Sequence, residues 1–283
     1  MTSIPVPSIT PRKLIERYPA FLLDAYGVLV DGRGLLPGAS TFIEALRASD
    51  KPFSIVTNDA SRLPAATARD YRERGLAIDD DQIVAAGSLA ADWIGRLGIE
   101  DCRCMVLGTA DSRSYAEASG ATVVPIDPSA EPHVLMVGDE EGYPFLESVD
   151  IAITVAIRAI EADRPIHLLC PNPDALHPKG SGVLGVSSSS VATLIENALA
   201  LRFPNRVLPR FDRLGKPKPP LFELALSRIG RRDAAMVGDQ LETDIKGAQA
   251  IGLDTVLIGT GVSRLDSIGP GLVPTWFLPS LVE

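Results

Sequence analysis

With 283 residues, 46% hydrophobic and 22% charged, the chain exceeds the size at which one hydrophobic core usually stops growing, so two domains are expected. Its net charge of −9, from 27 basic and 36 acidic residues with no basic stripe, argues against nucleic acid as a partner. No run of about 18 apolar residues suits a membrane span, and the opening MTSIPVPSITPRK lacks the apolar stretch of a signal peptide, so a cytoplasmic protein without a membrane partner is expected.

The first element is FLLDAYGVLVDG, residues 21–32, a short apolar run halted at Asp24 and released by a turn at Gly27. Such a run reads as a buried strand over 20–24 of a parallel sheet, and open α/β sheets bind ligands beyond the carboxyl ends of their strands. Asp24 sits where a reacting group belongs, although an Asp before a turn is also an ordinary cap or turn former. A helix over 39–48 leads to a strand over 52–57, where KPFSIVTND ends in Thr57, Asn58 and Asp59 and presents a hydroxyl and backbone amides at the same edge. A helix over 63–74, a strand over 82–86 and a helix over 88–97 complete a βαβαβ run, which implies parallel pairing with right-handed crossovers.

A fresh set begins at Cys104, with strands near 103–107, 121–124, 133–137 and 166–170. Between the last two, Leu146, Val149, Ile153, Ile157 and Ile160 recur at three or four, which is helical. Cys102 and Cys104 share one strand face and, with Cys170, read as small core fillers in a reducing compartment. Val137, Gly138 and Asp139 imitate the later Val237, Gly238 and Asp239, but no Thr-Asp follows, so Asp139 reads as a turn residue. CPNPDALHPKGSG, dense in Pro, Gly, Asn and Asp, reads as a loop. SSSSVATLIENALAL reads as a capped helix returning the chain to the first set of strands, and the scattered His133, His167 and His177 make no ligand set.

In RLGKPKPPLFELAL, Lys216 precedes Pro217, Pro219 and a helical pattern carrying Phe222, Leu224, Ala225 and Ile229; taken alone it is an ordinary solvated lysine before a helix. AAMVGDQLETDIKGAQAIG runs as a strand through Met236 and Val237 into Gly238 and Asp239, with Asp244 five residues on. Thr243 is placed to cap the following helix, and both aspartates face the strand–helix turn. After Gly261 a tail rich in Pro and Gly is expected to pack over the core with Trp276 and Phe277.

Taken in order, Asp24, Thr57, Lys216 and the pair Asp239 and Asp244 in Gly-Asp-x-x-x-Thr-Asp form resemble the four motifs of the haloacid dehalogenase superfamily, chiefly its phosphatase branches. LLPGASTFIEALR, IVAAGSLAADWI, CPNPDALHPKGSG and GKPKP narrow the resemblance to the p-nitrophenyl phosphatase and pyridoxal phosphatase-like branch with a large α/β cap. The resemblance covers about residues 18–262. It implies an α/β fold whose core, residues 1–98 and 186–283, holds a Rossmann-like parallel sheet in the order 3-2-1-4-5, with an inserted α/β cap domain over 99–185.

The implied activity is Mg²⁺-dependent hydrolysis of a small phosphate monoester, such as a sugar phosphate, through an aspartyl-phosphate. An aspartate carboxylate that attacks phosphorus splits one difficult displacement into two easier ones. Bringing a phosphate dianion to three carboxylates requires cations, because at an effective dielectric of about 20 one like-charge pair about 4 Å apart costs roughly 4 kcal/mol. Carboxylate and phosphate oxygens suit the hard Mg²⁺ ion. By resemblance, Asp24 is nucleophile and metal ligand, Asp239 a second ligand, Asp244 a support of the metal shell, and Tyr26 contributes its backbone carbonyl. Lys216 would neutralise the phosphoryl oxygens and orient Asp24, while Thr57 and the amide of Asn58 donate to the same oxygens. Asn172 and Asp174 would position the substrate, a small phosphorylated metabolite, and caps of this type can present surfaces for a homodimer.

One position departs from the pattern. Phosphatases of this family carry a second Asp two residues after the nucleophile, as general acid and base, and this chain has Tyr26. Such catalysis contributes about 10²–10⁴-fold, so efficient hydrolysis of poor leaving groups is in question. Two alternatives stay open. Asp-Ala-Tyr-Gly is similar to the metal-independent dehalogenases, although these lack the Gly-Asp-x-x-x-Thr-Asp motif, and a catalytically impaired phospho-ligand-binding protein would also keep the motifs.

Overall fold

The computed structural model describes residues 5–180, 183–269 and 271–283. Residues 1–4 of the opening stretch, with Ser181 and Gly182 of the expected loop, lie outside the described residues. The chain forms two compact units: residues up to Thr57, Pro64–Val84 and Lys216–Glu283 make the first, and Asn58–Leu63 with Ala85–Gly215 make the second.

In the first unit, Ala20–Leu23, Phe53–Thr57, Ile83–Ala85, Ala234–Gly238 and Asp254–Ile258 are short apolar runs without alternation, as strands covered on both faces are. Counted in chain order they lie side by side as 3-2-1-4-5, the order expected. Helix Ala39–Ala48 brings Phe42, Ile43 and Leu46 into one core with Phe21, Leu23 and Ile55. Leu22 alternates to the other face, where helix Pro219–Ile229 lies against Ala20–Leu23 and Phe53–Thr57. Trp276–Leu278 adds a sixth strand, parallel to Asp254–Ile258, where only a packing tail was expected. Its outer edge is closed by the chain start: the Phe277 amide donates to the Pro7 carbonyl and the Ile9 amide to the Phe277 carbonyl, both at 2.9 Å.

The second unit has its own parallel sheet, in the order Phe211–Arg213, His167–Cys170, Val134–Val137, Arg103–Leu107, Thr122–Val124. Helices Phe145–Glu161 and Ser188–Arg202 bury Val149, Ala152, Val155, Val191, Ile195 and Leu199 on one side. On the other, Ala90, Ile94, Tyr115 and Ala116 pack with Cys102, Cys104, Val106 and Met136, so the two neighbouring cysteines do share a face.

The compact units begin and end at other residues than the expected boundaries, 98/99 and 185/186: helices Ala90–Gly95 and Ser188–Arg202 bury their apolar faces against the second sheet, as does Leu214 just before the chain re-enters the first unit. Three local expectations are corrected. Strand Phe211–Arg213 was not foreseen, since the charged Asp212 and Arg213 hide it. Within the expected loop, Leu176–Gly180 pairs antiparallel with Val183–Val186, a two-stranded ribbon in which Pro178 is tolerated as on any edge. Thr243 is not a cap: the Gln240 carbonyl accepts from the amides of Asp244 at 3.1 Å and Ile245 at 3.2 Å, forming one wide π-type turn over Leu241–Ile245 that starts before Thr243. Among the described residues no helix is long and apolar enough to cross a membrane.

Candidate active site

The strand register of the first unit gathers the acidic residues. Leu23 is paired with Val237, and the Asp24 amide donates to the Val237 carbonyl at 2.9 Å, so Asp24 leaves its strand level with Gly238 and next to Asp239. Asp244 is folded back over the same edge by the wide turn. Its Oδ2 accepts from the amides of Asp239 and Gln240, both at 3.1 Å, which ties the turn back to the end of its strand. One oxygen each of Asp24, Asp239 and Asp244 lies within 4.8 Å of the others. Lys216, the residue at which the chain re-enters this unit, donates from Nζ to Asp24 Oδ1 at 2.5 Å, Asp244 Oδ1 at 2.7 Å and the Val56 carbonyl at 2.9 Å. All four side chains are withdrawn from water, with residue exposures of 6% for Asp24, 3% for Lys216, 1% for Asp239 and 0% for Asp244.

Withdrawal from water sets the proton affinities. Burial alone would lower the Lys216 pKa, but Asp24 and Asp244 against its ammonium overrule this and raise it, so Lys216 is a fixed cation. Burial pushes Asp24 well above the carboxylate range, with Lys216 pulling down and Asp244 and Asp239 pushing up. Burial, then Asp244, lifts Asp239 to about 7.

One lysine does not balance three carboxylates, and the imbalance has an address. Asp239 Oδ1 is buried with no hydrogen-bond partner, whereas its Oδ2 accepts from the Val262 amide at 2.8 Å. A buried oxygen left unpaired is costly, and an all-oxygen cluster with surplus negative charge is the donor set of a hard divalent cation. The residues present therefore fit Mg²⁺. Backbone closeness is part of the fit: a Cβ on Gly238 would lie 2.2 Å from the Asp244 Cβ, and one on Gly27 2.4 Å from Asp239 Oδ2, so only glycine fits at either position.

The remaining candidates divide between the units. Thr57 ends its strand in the first unit, one residue past the Val56 carbonyl that holds Lys216. Tyr26, two residues past Asp24, has its side chain turned out, 44% exposed. Asn58, Asn172 and Asp174 belong to the second unit and meet there: Asn58 Nδ2 donates to Asp174 Oδ1 and the Asp174 amide to Asn172 Oδ1, both at 2.9 Å. Asp139, also in the second unit, is a turn residue as expected, its Oδ1 accepting from the Glu141 amide at 2.8 Å, and burial followed by Glu140 raises its pKa to about 6. His177 pairs with Glu140 at 3.1 Å. Val262 is a contact of the acidic cluster that sequence reading missed. The available signal was a strand, Asp254–Ile258, ending at the same sheet edge as the two that carry Asp24 and Asp239.

Comparison with known proteins adds a second line of evidence. A family model described as haloacid dehalogenase-like hydrolase matches residues 21–122, and one described as HAD-hydrolase-like matches residues 213–283. The dihydroxyacetone phosphatase of Corynebacterium glutamicum is 28% identical over 246 residues, 86% of this chain and 82% of that protein. A crystal structure described as a possible sugar phosphatase of the HAD superfamily, from Cytophaga hutchinsonii, superposes with a TM-score of 0.84 at 30% identity over 99% of both chains. The glycerol phosphate phosphatase of Mycobacterium tuberculosis, solved in complex with magnesium, gives 0.79 at 26% identity over 95% of this chain and 76% of that one.

Proposed function

This chain belongs to the haloacid dehalogenase-like hydrolases, and on that premise we propose that it is a Mg²⁺-dependent phosphatase that hydrolyses a small phosphate monoester, of the sugar phosphate kind, through an aspartyl-phosphate at Asp24. The observation that carries this reading is the buried Asp24–Lys216 pair beside the unpartnered Oδ1 of Asp239. Relatives named as phosphatases of dihydroxyacetone, sugar and glycerol phosphates support the substrate class.

Lys216 holds Asp24 by Oδ1, and no hydrogen bond among the described residues engages Asp24 Oδ2, so that oxygen is the one to bond phosphorus. As the Oδ2–P bond forms, the P–O bond to the alcohol breaks, and water then attacks the same phosphorus to release phosphate and free Asp24. Lys216 and Thr57 are the groups that would balance and orient the phosphoryl oxygens, with Asn58, Asn172 and Asp174 as substrate-binding residues. Asp24, Asp239 through Oδ1, and the Tyr26 backbone carbonyl would hold Mg²⁺, with Asp244 supporting them. When bound, the ion supplies positive charge against the carboxylates and the developing phosphoryl charge.

The test is phosphate release from p-nitrophenyl, glycerol and dihydroxyacetone phosphates, with Mg²⁺ and with chelator, by wild type and Asp24→Asn. Wild type should turn over only with the metal, and Asp24→Asn should lose about 10³-fold or more. Turnover that survives both changes would refute the reading. Chloride release from a chlorinated acid without metal would favour the dehalogenase alternative.

A further inference from the structure

The turn after strand Asp254–Ile258, residues 259–263, carries no charged side chain, yet it touches both halves of the acidic cluster. The Val262 amide donates to Asp239 Oδ2 at 2.8 Å and the Ser263 amide to the Asp239 carbonyl at 3.0 Å. Ser263 Oγ accepts from the Leu241 amide at 3.0 Å, at the start of the wide turn that delivers Asp244. Thr260 Oγ1 donates to the Gly27 carbonyl at 2.6 Å, three residues past Asp24.

We propose that Thr260, Gly261 and Val262 form a positioning element of the metal site, which selects the oxygen that Asp239 offers and locks the backbone that follows Asp24. This rests on the metal reading of Asp239 given above. The two oxygens of a free carboxylate are equivalent by rotation. Here Oδ2 lies close against two glycines, since a Cβ on Gly27 would lie 2.4 Å, and one on Gly261 2.1 Å, from it, so only glycine at both positions leaves the carboxylate this orientation. With Oδ2 taken by the Val262 amide, Oδ1 is the oxygen left over, and it is the one without a partner. The Thr260 hydroxyl then ties the Gly27 wall of this slot to the Gly261 wall. Gly261 is absent from the left-handed backbone positions of the chain, whereas Gly27 has φ +81°. A side chain at 261 is thus refused by the carboxylate and not by the backbone, so Gly261→Ala probes crowding of Asp239 alone.

The experiment measures Mg²⁺ affinity by calorimetric titration, and the Mg²⁺-induced rise in Tm, on the full chain. The proteins compared are wild type, Thr260→Val, Thr260→Ser, Gly261→Ala and Asp239→Asn. Gly261→Ala should weaken Mg²⁺ binding about tenfold or more, and Thr260→Val by a smaller factor, the range seen when supports of metal ligands are removed. Thr260→Ser, which keeps the hydroxyl, should restore affinity to within about twofold of wild type. A merely structural threonine would lower the metal-free Tm in Thr260→Val without moving the affinity, and that result overturns the proposal. So does wild-type affinity in Gly261→Ala; if that variant does not fold, the Thr260 pair decides. Wild type that binds no Mg²⁺ would sink the metal reading and this one with it, whereas wild-type binding lost only in Asp239→Asn would sink this one alone.

Discussion

In the proposed hydrolysis, position 26 bears on how the leaving oxygen would acquire its proton. Where the resembling phosphatases place a carboxyl, this chain has a side chain that is 44% exposed and two residues from Asp24. Leaving groups that need little protonation should therefore be favoured, with p-nitrophenyl phosphate cleaved better than glycerol phosphate. Tyr26→Asp should narrow that ratio of kcat/KM by about 10–100-fold, mostly by speeding the alkyl ester. Because the side chain is turned out, its replacement should move stability by no more than about 0.5 kcal/mol in urea unfolding. An unchanged ratio would remove Tyr26 from the argument. At this scale the sequence was readable where chemistry needs a charged side chain: Asp24, Asp239, Asp244 and Lys216 stand at strand ends or before a helix and the fold brings them together. Thr260 and Val262 were not readable, because they act through a hydroxyl and a main-chain amide, groups that no residue type advertises.

Elements with strong periodicity were read well and short ones were not. Helix Phe145–Glu161 and four of the five central strands follow directly from apolar spacing, whereas Asp254–Ile258 was not read and Trp276–Leu278 is three residues in a tail rich in Pro and Gly. Its fastening is remote in the chain: Trp276 Nε1 donates to Tyr18 Oη at 2.8 Å, Tyr18 Oη donates to Asp254 Oδ2 at 2.7 Å, and the Arg17 guanidinium lies 4.9 Å from the Trp276 ring centre. Tyr18→Phe would leave the indole N–H and the carboxylate without this partner. It should cost about 1–2 kcal/mol in urea unfolding while leaving kcat alone; a loss of turnover at full stability would contradict a purely fastening role. The helix Ser188–Arg202 shows the other limit. Val191, Ile195 and Leu199 are buried while Leu194 and Leu201 are exposed, so its apolar residues surround it and its spacing could not say which sheet it covers.

For the whole molecule, the order 3-2-1-4-5 was legible through the family resemblance, whereas the βαβαβ run by itself implied only parallel pairing with right-handed crossovers. Each unit encloses its own apolar cluster around its own sheet. Scanning calorimetry in chelator should accordingly give a calorimetric enthalpy larger than the van't Hoff value, the sign of more than one cooperative block. Since Asp24, Asp239, Asp244 and Lys216 all lie in the first unit, Mg²⁺ should raise the transition of that block and leave the other in place. A single two-state transition, shifted whole by the ion, would contradict this.

The ion pair between Asp24 and Lys216 joins residues 192 apart in the chain, and the second unit is spelled out between them. On the ribosome the aspartate emerges first and must wait, hydrated, while the whole intervening block is translated. The neutralising lysine appears only as that block is completed, and Asp239 and Asp244 follow it. The unit that starts first is thus obliged to close last, and the Asp24 carboxylate is sealed away from water near the end of synthesis.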